Sequence, residues 1–394
     1  MEDLANAEAH VLQQGREVLA GLLGEDWDVA IRPEDLSRGD HGWDAVLRIA
    51  SRSDGIYTEL FVEVRDRVTP KDVAGHLSST AMLVRRVNSN TRLMVFSPWI
   101  SSKSQEELRS RGIDYLDLTG NISLRISRPA IVIHTQGATR SPHSHRSPST
   151  KPLLTGPRAG RLVRLLADVK PPYRATDLAR HSGLSLAYVS RLLDALEDQL
   201  LVGRDGKAIA HVNWQELLRT RASHLDLMRQ TDPSGMLAPN GVQSVIDHLA
   251  DRDGLIAGSE VLVTGSYAAH SVAPIAVGGQ LMLYTLPGDT TQTRVAQELG
   301  LLPVPESADV LLLQAPDYSV LQRPSRYDRC RQVGLSQLVL DCLSGPGRMP
   351  AEGEKVLEYM TAEEDTWRVP DLSRLSGTEE RRLLQTGADG QSLF

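Results

Sequence analysis

The stretch that decides the fold is Ala175–Gln199, ATDLARHSGLSLAYVSRLLDALEDQ, followed by LLVGRDGKAIA at 200–210. Val189, Leu192, Leu193 and Leu196 recur at i, i+3, i+4 and i+7, the spacing that lines one face of a helix. Ahead of them stands Ser182-Gly183-Leu184-Ser185: Gly183 suits the tight turn that ends one helix, and Ser185 suits the cap of the next. Upstream, ATDLARH (175–181) reads as a short helix, and RLVRLL (161–166) as the amphipathic start of another. Downstream, Leu200–Val202 and Ala208–Ala210 read as two short strands about the charged turn GRDGK. Helix, helix, Gly turn, helix and β-hairpin in this order predict a winged helix-turn-helix over 157–221.

Such a unit places the N-terminal part of its third helix in the major groove of DNA, where side chains reach base edges. The residues expected there are Ser185, Ala187, Tyr188, Ser190 and Arg191, with Arg174 and Arg180 on backbone phosphates and Arg204 and Lys207 on the wing. Charge agrees locally. The chain of 394 residues carries a net −7, yet residues 156–221 hold eleven basic against seven acidic side chains, +4, which leaves −11 for the remainder. Aromatic residues make up 4% of the chain, too few for a base-stacking platform on single strands.

The flanking sequence sets the domain plan. Residues 139–156 (TRSPHSHRSPSTKPLLTG) are rich in Ser, Pro and Thr and lack apolar periodicity, so a basic flexible linker is expected. Residues 1–138 alternate helix and strand patterns: an amphipathic helix from Ala7, strands at 44–49, 59–64, 92–96, 114–117 and 130–134, and helices at 70–88 and 103–111. That is an α/β layer with a mixed sheet. Residues 222–362 are α/β again, with strands at 260–264, 280–286 and 309–314 and helices at 241–251, 291–299, 336–343 and 351–361. Residues 363–394 are polar and are expected to form a partly disordered tail. No apolar run approaches the ~20 residues of a membrane span. The acidic start MEDLANAEAH lacks the features of a secretory signal, so a cytoplasmic, nucleoid-associated protein is expected. Cys330 and Cys342, two cysteines without CxxC spacing, are expected to pack in the core.

Two resemblances bear on chemistry. Asp44 at the start of one strand and Glu63-Val64-Arg65 at the end of the next resemble the metal-binding pattern of PD-(D/E)xK nucleases over about 100 residues. Arg65 stands where that pattern has Lys, and an arginine cannot serve as a base at neutral pH. Asp44, Glu63 and Arg65 are therefore candidates for a catalytic centre that the chain is expected to lack. Thr264-Gly265-Ser266 with Ala268-Ala269 resembles the turn that opens a nucleotidyltransferase site, but the strand Gln280–Thr285 has none of the paired carboxylates that bind Mg²⁺. No metal or other cofactor is expected. Close packing of a helix on a strand is the preferred reading of Gly265 and Ser266.

Three stretches together resemble the actinobacterial AbiEi-type antitoxins of type IV toxin–antitoxin systems and related winged-helix regulators. They are 112–121 (GIDYLDLTGN), 182–191 (SGLSLAYVSR), and 335–341 (LSQLVLD) with 345–348 (GPGR). The resemblance spans about 300 residues and implies transcriptional repression. The leading expectation is a regulator that binds double-stranded DNA, with a homodimer supplying two half-sites. A DNA nuclease targeted by the winged helix, and an antitoxin binding a nucleotidyltransferase toxin, are the alternatives.

Overall fold

The computed structural model describes residues 2–32, 43–87, 91–139, 154–273, 278–286, 288–327 and 329–375. Contacts divide them into a unit from 1–150 with 198–200, and a unit from 151–197 with 201–394. Of the expected linker, 140–153 lie outside the described residues, as do 376–394 of the expected tail.

The first unit opens with α1 (Glu2–Leu23), then β1 (Trp27–Ile31), β2 (Ala45–Ser51) and β3 (Tyr57–Val64). A helical crossover follows, made of α2 (Pro70–Asp72), a π-helical turn Val73–Leu77 and α3 (Ser78–Val87). It leads to β4 (Arg92–Ser97), α4 (Ser102–Ser110), β5 (Asp114–Asp117), β6 (Ile122–Ile126) and β7 (Ile131–Thr135). The seven strands pair in chain order. β3, β4 and β5 run parallel to one another, and the outer pairs are antiparallel. Alternation of side chains gives the sheet two apolar faces. Leu60, Val62, Met94 and Phe96 pack under Val11, Leu12 and Leu19 of α1. Leu93, Val95 and Tyr115 pack under Val73, Leu77, Ala81 and Leu108 on the other side. The mixed α/β layer is as expected, while β1 and β6 are additional strands.

The second unit begins with α5 (Pro157–Asp168), β8 (Tyr173–Arg174), α6 (Ala175–Ser182), α7 (Leu186–Asp198), β9 (Val202–Asp205) and β10 (Ala208–Val212). β10 lies between β8 and β9 in a three-stranded antiparallel wing sheet. Then come α8 (Trp214–Ala222), α9 (Leu227–Thr231), β11 (Ser234–Leu237), α10 (Val242–Asp251), β12 (Leu255–Ile256), β13 (Ser259–Glu260), β14 (Leu262–Thr264) and α11 (Gly265–Val272). The chain continues through β15 (Leu281–Thr285), α12 (Asp289–Glu298), β16 (Leu302–Pro303), β17 (Val310–Gln314), β18 (Ser325–Tyr327) and β19 (Cys330–Gln332). It closes with α13 (Leu335–Leu343), α14 (Met349–Ala362) and α15 (Glu364–Trp367). The second sheet has the order β16-β11-β17-β15-β14-β19-β18.

Helix α13 explains how these parts hold together. It is buried on every side from Leu335 to Cys342, as befits a helix enclosed in a core rather than laid on one. It packs on α5 and α8 of the winged helix and on α11 and α14 beside the second sheet. A single apolar cluster therefore runs from Leu162, Leu166, Leu193 and Trp214 through Leu338 to Leu283 and Leu312. The stretches expected as a winged helix (157–221) and a transferase-like domain (222–362) share one core. Cys330 and Cys342 are both buried and reduced within it.

The first part of the stretch expected as a partly disordered tail carries ordered structure. Residues 363–375 are packed in place: Trp367 meets Trp214 edge to face at 5.0 Å, and Val369 pairs with Val169 in a parallel bridge. Local polarity hid this order, because its partners lie some 200 residues upstream.

At the turn between α6 and α7, Gly183 adopts φ +66°, and the N–H groups of Gly183 and Leu184 close back on the Arg180 and Ala179 carbonyls of α6. A β-branched residue is strained in this left-handed region. Gly183→Val is expected to cost about 1–2 kcal/mol of stability. Denaturant unfolding checks this, and an unchanged midpoint would contradict the role given to the turn.

Candidate nucleic-acid interface

The recognition helix is seated by its apolar face. Val189, Leu192, Leu193 and Leu196 are buried, which turns the opposite face of α7 outward. Ser185 stands at its N-cap, where the hydroxyl accepts from the Tyr188 N–H at 3.3 Å. Around that exposed start lie Ser185, Ala187 and Arg191, all exposed, with Tyr188 and Ser190 half-buried. The Arg191 guanidinium folds back so that Nε donates to the Ala187 carbonyl at 3.4 Å. Tyr188 packs partly against the core, and burial raises its hydroxyl above the usual phenol range; Arg158, Arg221 and Arg191 pull the other way.

The remaining expected contacts divide. Arg174 and Lys207 are exposed, on β8 and on the wing turn. Arg180 is exposed and pairs with Asp177 one helical turn back at 2.8 Å. Arg204 is held differently: it bridges to Asp194 at 2.6 Å and to Glu197 at 3.1 Å, both on α7. Its charge ties the wing to the recognition helix, whereas Lys207 on the wing turn and Arg174 on β8 have no ion pair among the described residues. Two members of the basic block, Arg164 and Arg221, are buried and add nothing to the outer surface. Arg158, exposed in the first turn of α5 and close enough to influence Tyr188, extends the basic face beyond the residues singled out from sequence.

In the first unit, Asp44 and Glu63 do come near one another. Asp44 accepts from the Val64 N–H at 2.7 Å, so it spans the end of the strand pair. Glu63 is buried, and its Oε1 accepts from Arg65 Nε at 2.8 Å and contacts His76 Nε2 at 3.0 Å. His76 reaches it from the π-helical turn. Burial raises the Glu63 carboxyl above its ordinary value against the opposing pull of Arg65 and His76. Arg65 thus clamps the carboxylate that the metal pattern would need. Among the described residues no group of three His, Cys, Asp or Glu is placed to hold a metal ion.

In the second unit, the Gly265-Ser266 turn opens α11 after β14, beside β15. A Cβ on Gly265 would stand 2.8 Å from Met282 Sδ, and the Ser266 hydroxyl donates to Glu352 at 2.6 Å. Both residues serve close packing. The other resembling stretches also carry internal hydrogen-bond hubs. Asp117 accepts from the N–H groups of Ile100 at 2.9 Å, Thr119 at 2.9 Å and Asn121 at 3.1 Å. Asp341 accepts from Thr264, Gln337 and Tyr284 at 2.6, 2.7 and 3.0 Å.

Fold and surface together define a winged helix-turn-helix of the DNA-binding regulator class. Residues 157–206 match the family model described as the IclR helix-turn-helix domain, which covers α5 to the wing turn. No curated protein and no solved structure matches the chain. No helix among the described residues is long and apolar enough to cross a membrane.

Proposed function

We propose that the protein is a transcriptional regulator that reads double-stranded DNA in a sequence-specific way, acting as a homodimeric repressor. The observation that carries this reading is the outward face of α7, seated by four buried side chains within a helix-turn-helix that matches a regulator family. An α-helix of this length fits the major groove, where Arg can bond guanine in two places and small residues permit close approach. Ser185, Ala187 and Arg191 stand at its start, and Tyr188 and Ser190 border them. Arg174, Arg180 and Lys207 flank them as phosphate contacts that set register without reading sequence. One winged helix spans few base pairs, so two copies on paired half-sites supply the specificity that a single copy lacks. We assign no catalytic activity to the first unit: with Glu63 clamped by Arg65 and His76, its α/β layer serves DNA contact or dimerisation.

The two kinds of contact separate by experiment. Arg191→Ala is expected to cost about 1–3 kcal/mol at the preferred site and to flatten discrimination among sequences. Lys207→Ala is expected to weaken binding to all sequences alike and to lower the salt slope by about 1. Titration of the full chain against specific and unrelated duplexes at several salt concentrations measures both. If neither variant changes affinity or discrimination, α7 and the wing do not dock as described.

A further inference from the structure

Arg164 sits on α5 with 2% of its surface exposed, and its Nη2 is fully enclosed without a hydrogen-bond partner. A guanidinium carries five N–H donors and stays charged, so leaving one enclosed and unmatched is costly. Three carboxylates lie close enough to influence it, and each is committed elsewhere. Asp168 accepts from Arg323 Nε at 2.5 Å, and Asp317 from Arg161 at 3.4 Å and the Ser319 N–H at 2.7 Å. Asp341 takes the three neutral donors already described.

A second buried guanidinium faces the same space. Arg221 of α8 lies over Gly160, where a Cβ would come within 2.6 Å of its Nη2. Its Nη1 donates to the Leu154 carbonyl, while its Nε is enclosed and unmatched. Burial lowers both guanidinium groups to about 10, and the charge of Arg164 further lowers that of Arg221. Four arginines (161, 164, 221 and 323) thus meet three aspartates (168, 317 and 341), one positive charge in excess.

Between them lies a cavity of about 40 Å³ bordered by Arg164, Arg221, Tyr284, Gln337 and Thr231, and also by Asp317 and Asp341, whose carboxylates already accept from the donors named above. A water needs roughly 10–15 Å³ by the same measure, so the space suits one small ion and excludes a phosphate ester. We propose that this cavity binds a small monovalent anion, a halide or a planar oxyanion such as nitrate, between Arg164 and Arg221. The ion completes the donors that the aspartates leave unmatched and cancels the excess charge. It also bridges α5 to α8, the two helices on which the rest of the winged helix is built.

The probe is bromide, applied to the full chain without DNA, so failure here leaves the DNA-binding reading untouched. A bromide-grown crystal is expected to show an anomalous peak within hydrogen-bonding distance of Arg164 Nη2. In solution, exchange of gluconate for bromide at constant ionic strength is expected to raise the melting midpoint saturably, by about 2 °C. Arg164→Met is expected to abolish the saturable rise, and Arg221→Met to weaken it. A crystal with only water beside Arg164, or the same rise in Arg164→Met as in the parent, overturns the proposal. Should both variants fail to fold, the anomalous map of the parent protein decides alone.

Discussion

Arg368→Ala is expected to destabilise the second unit by about 3–5 kcal/mol, although the residue lies in a polar segment near the end of the described chain. Its guanidinium is buried and reaches the end of α5. Nε donates to the Ala167 carbonyl at 2.8 Å, Nη2 to Val169 at 2.8 Å and Leu166 at 3.3 Å, and Nη1 to Glu364 at 2.7 Å. The last carbonyls of a helix have no partner within it, and a cation beside them also opposes the negative end of the helix dipole. Alanine would orphan these carbonyls inside the protein and loosen the bridge between Val169 and Val369. Denaturant unfolding of the full chain measures the loss. Arg368→Lys should recover only part of it, because one ammonium cannot span three carbonyls. A loss below about 1 kcal/mol would mean that water replaces the clip at little cost.

Asp341→Asn is expected to change the pH dependence of stability rather than its level at one pH. Burial raises the Asp341 carboxyl to about 6 in the folded protein, against an ordinary 3.8; Thr264, Gln337, Tyr284 and Arg164 all pull it down and do not prevail. The folded state therefore holds this proton more tightly than the unfolded chain. Where the folded state binds more protons, stability falls as pH rises. The contribution is fully present below about 4 and is lost as pH climbs through about 6, on the order of 3 kcal/mol in all. Asparagine cannot titrate, and the Thr264 hydroxyl can turn to accept from its amide. The slope between these pH values should be shallower in the variant than in the parent. Identical slopes would show that Asp341 is charged in the fold throughout.

The sequence made the winged helix legible because its signals are local. The spacing of Val189, Leu192, Leu193 and Leu196, the left-handed Gly183 and the cap at Ser185 each act within a few residues. The second wing strand and the helices α10, α13 and α14 were legible for the same reason. The first wing strand, expected at 200–202, instead runs over Val202–Asp205, because Gly203, Arg204 and Asp205, read as turn residues, pair with β10. Other features depended on distant partners. Residues 363–375 show no periodicity, and their order comes from Arg368 and Trp367 finding α5, α14 and α8. β12, β13 and β16 have two residues each, too few for any pattern, and β18 and β19 have three. β1 and β6 did carry alternating apolar residues, with Ile122, Leu124 and Ile126 buried on one side. Charge misled in one respect. Arg164, Arg221 and Arg204 entered the basic count as equals of Lys207, but burial removes two from the surface and Asp194 and Glu197 engage the third.

The enclosure of α13 has a consequence for how the DNA-reading part can be handled or inherited. The same helix is the floor beneath α5 and α8 and one wall of the second sheet's packing, so an isolated 157–221 fragment would expose the apolar side that α13 covers. The reading head is not a portable cassette. Slow amide exchange in α7 should report the same cooperative opening as in α13, and grafting onto another scaffold would have to bring that helix along.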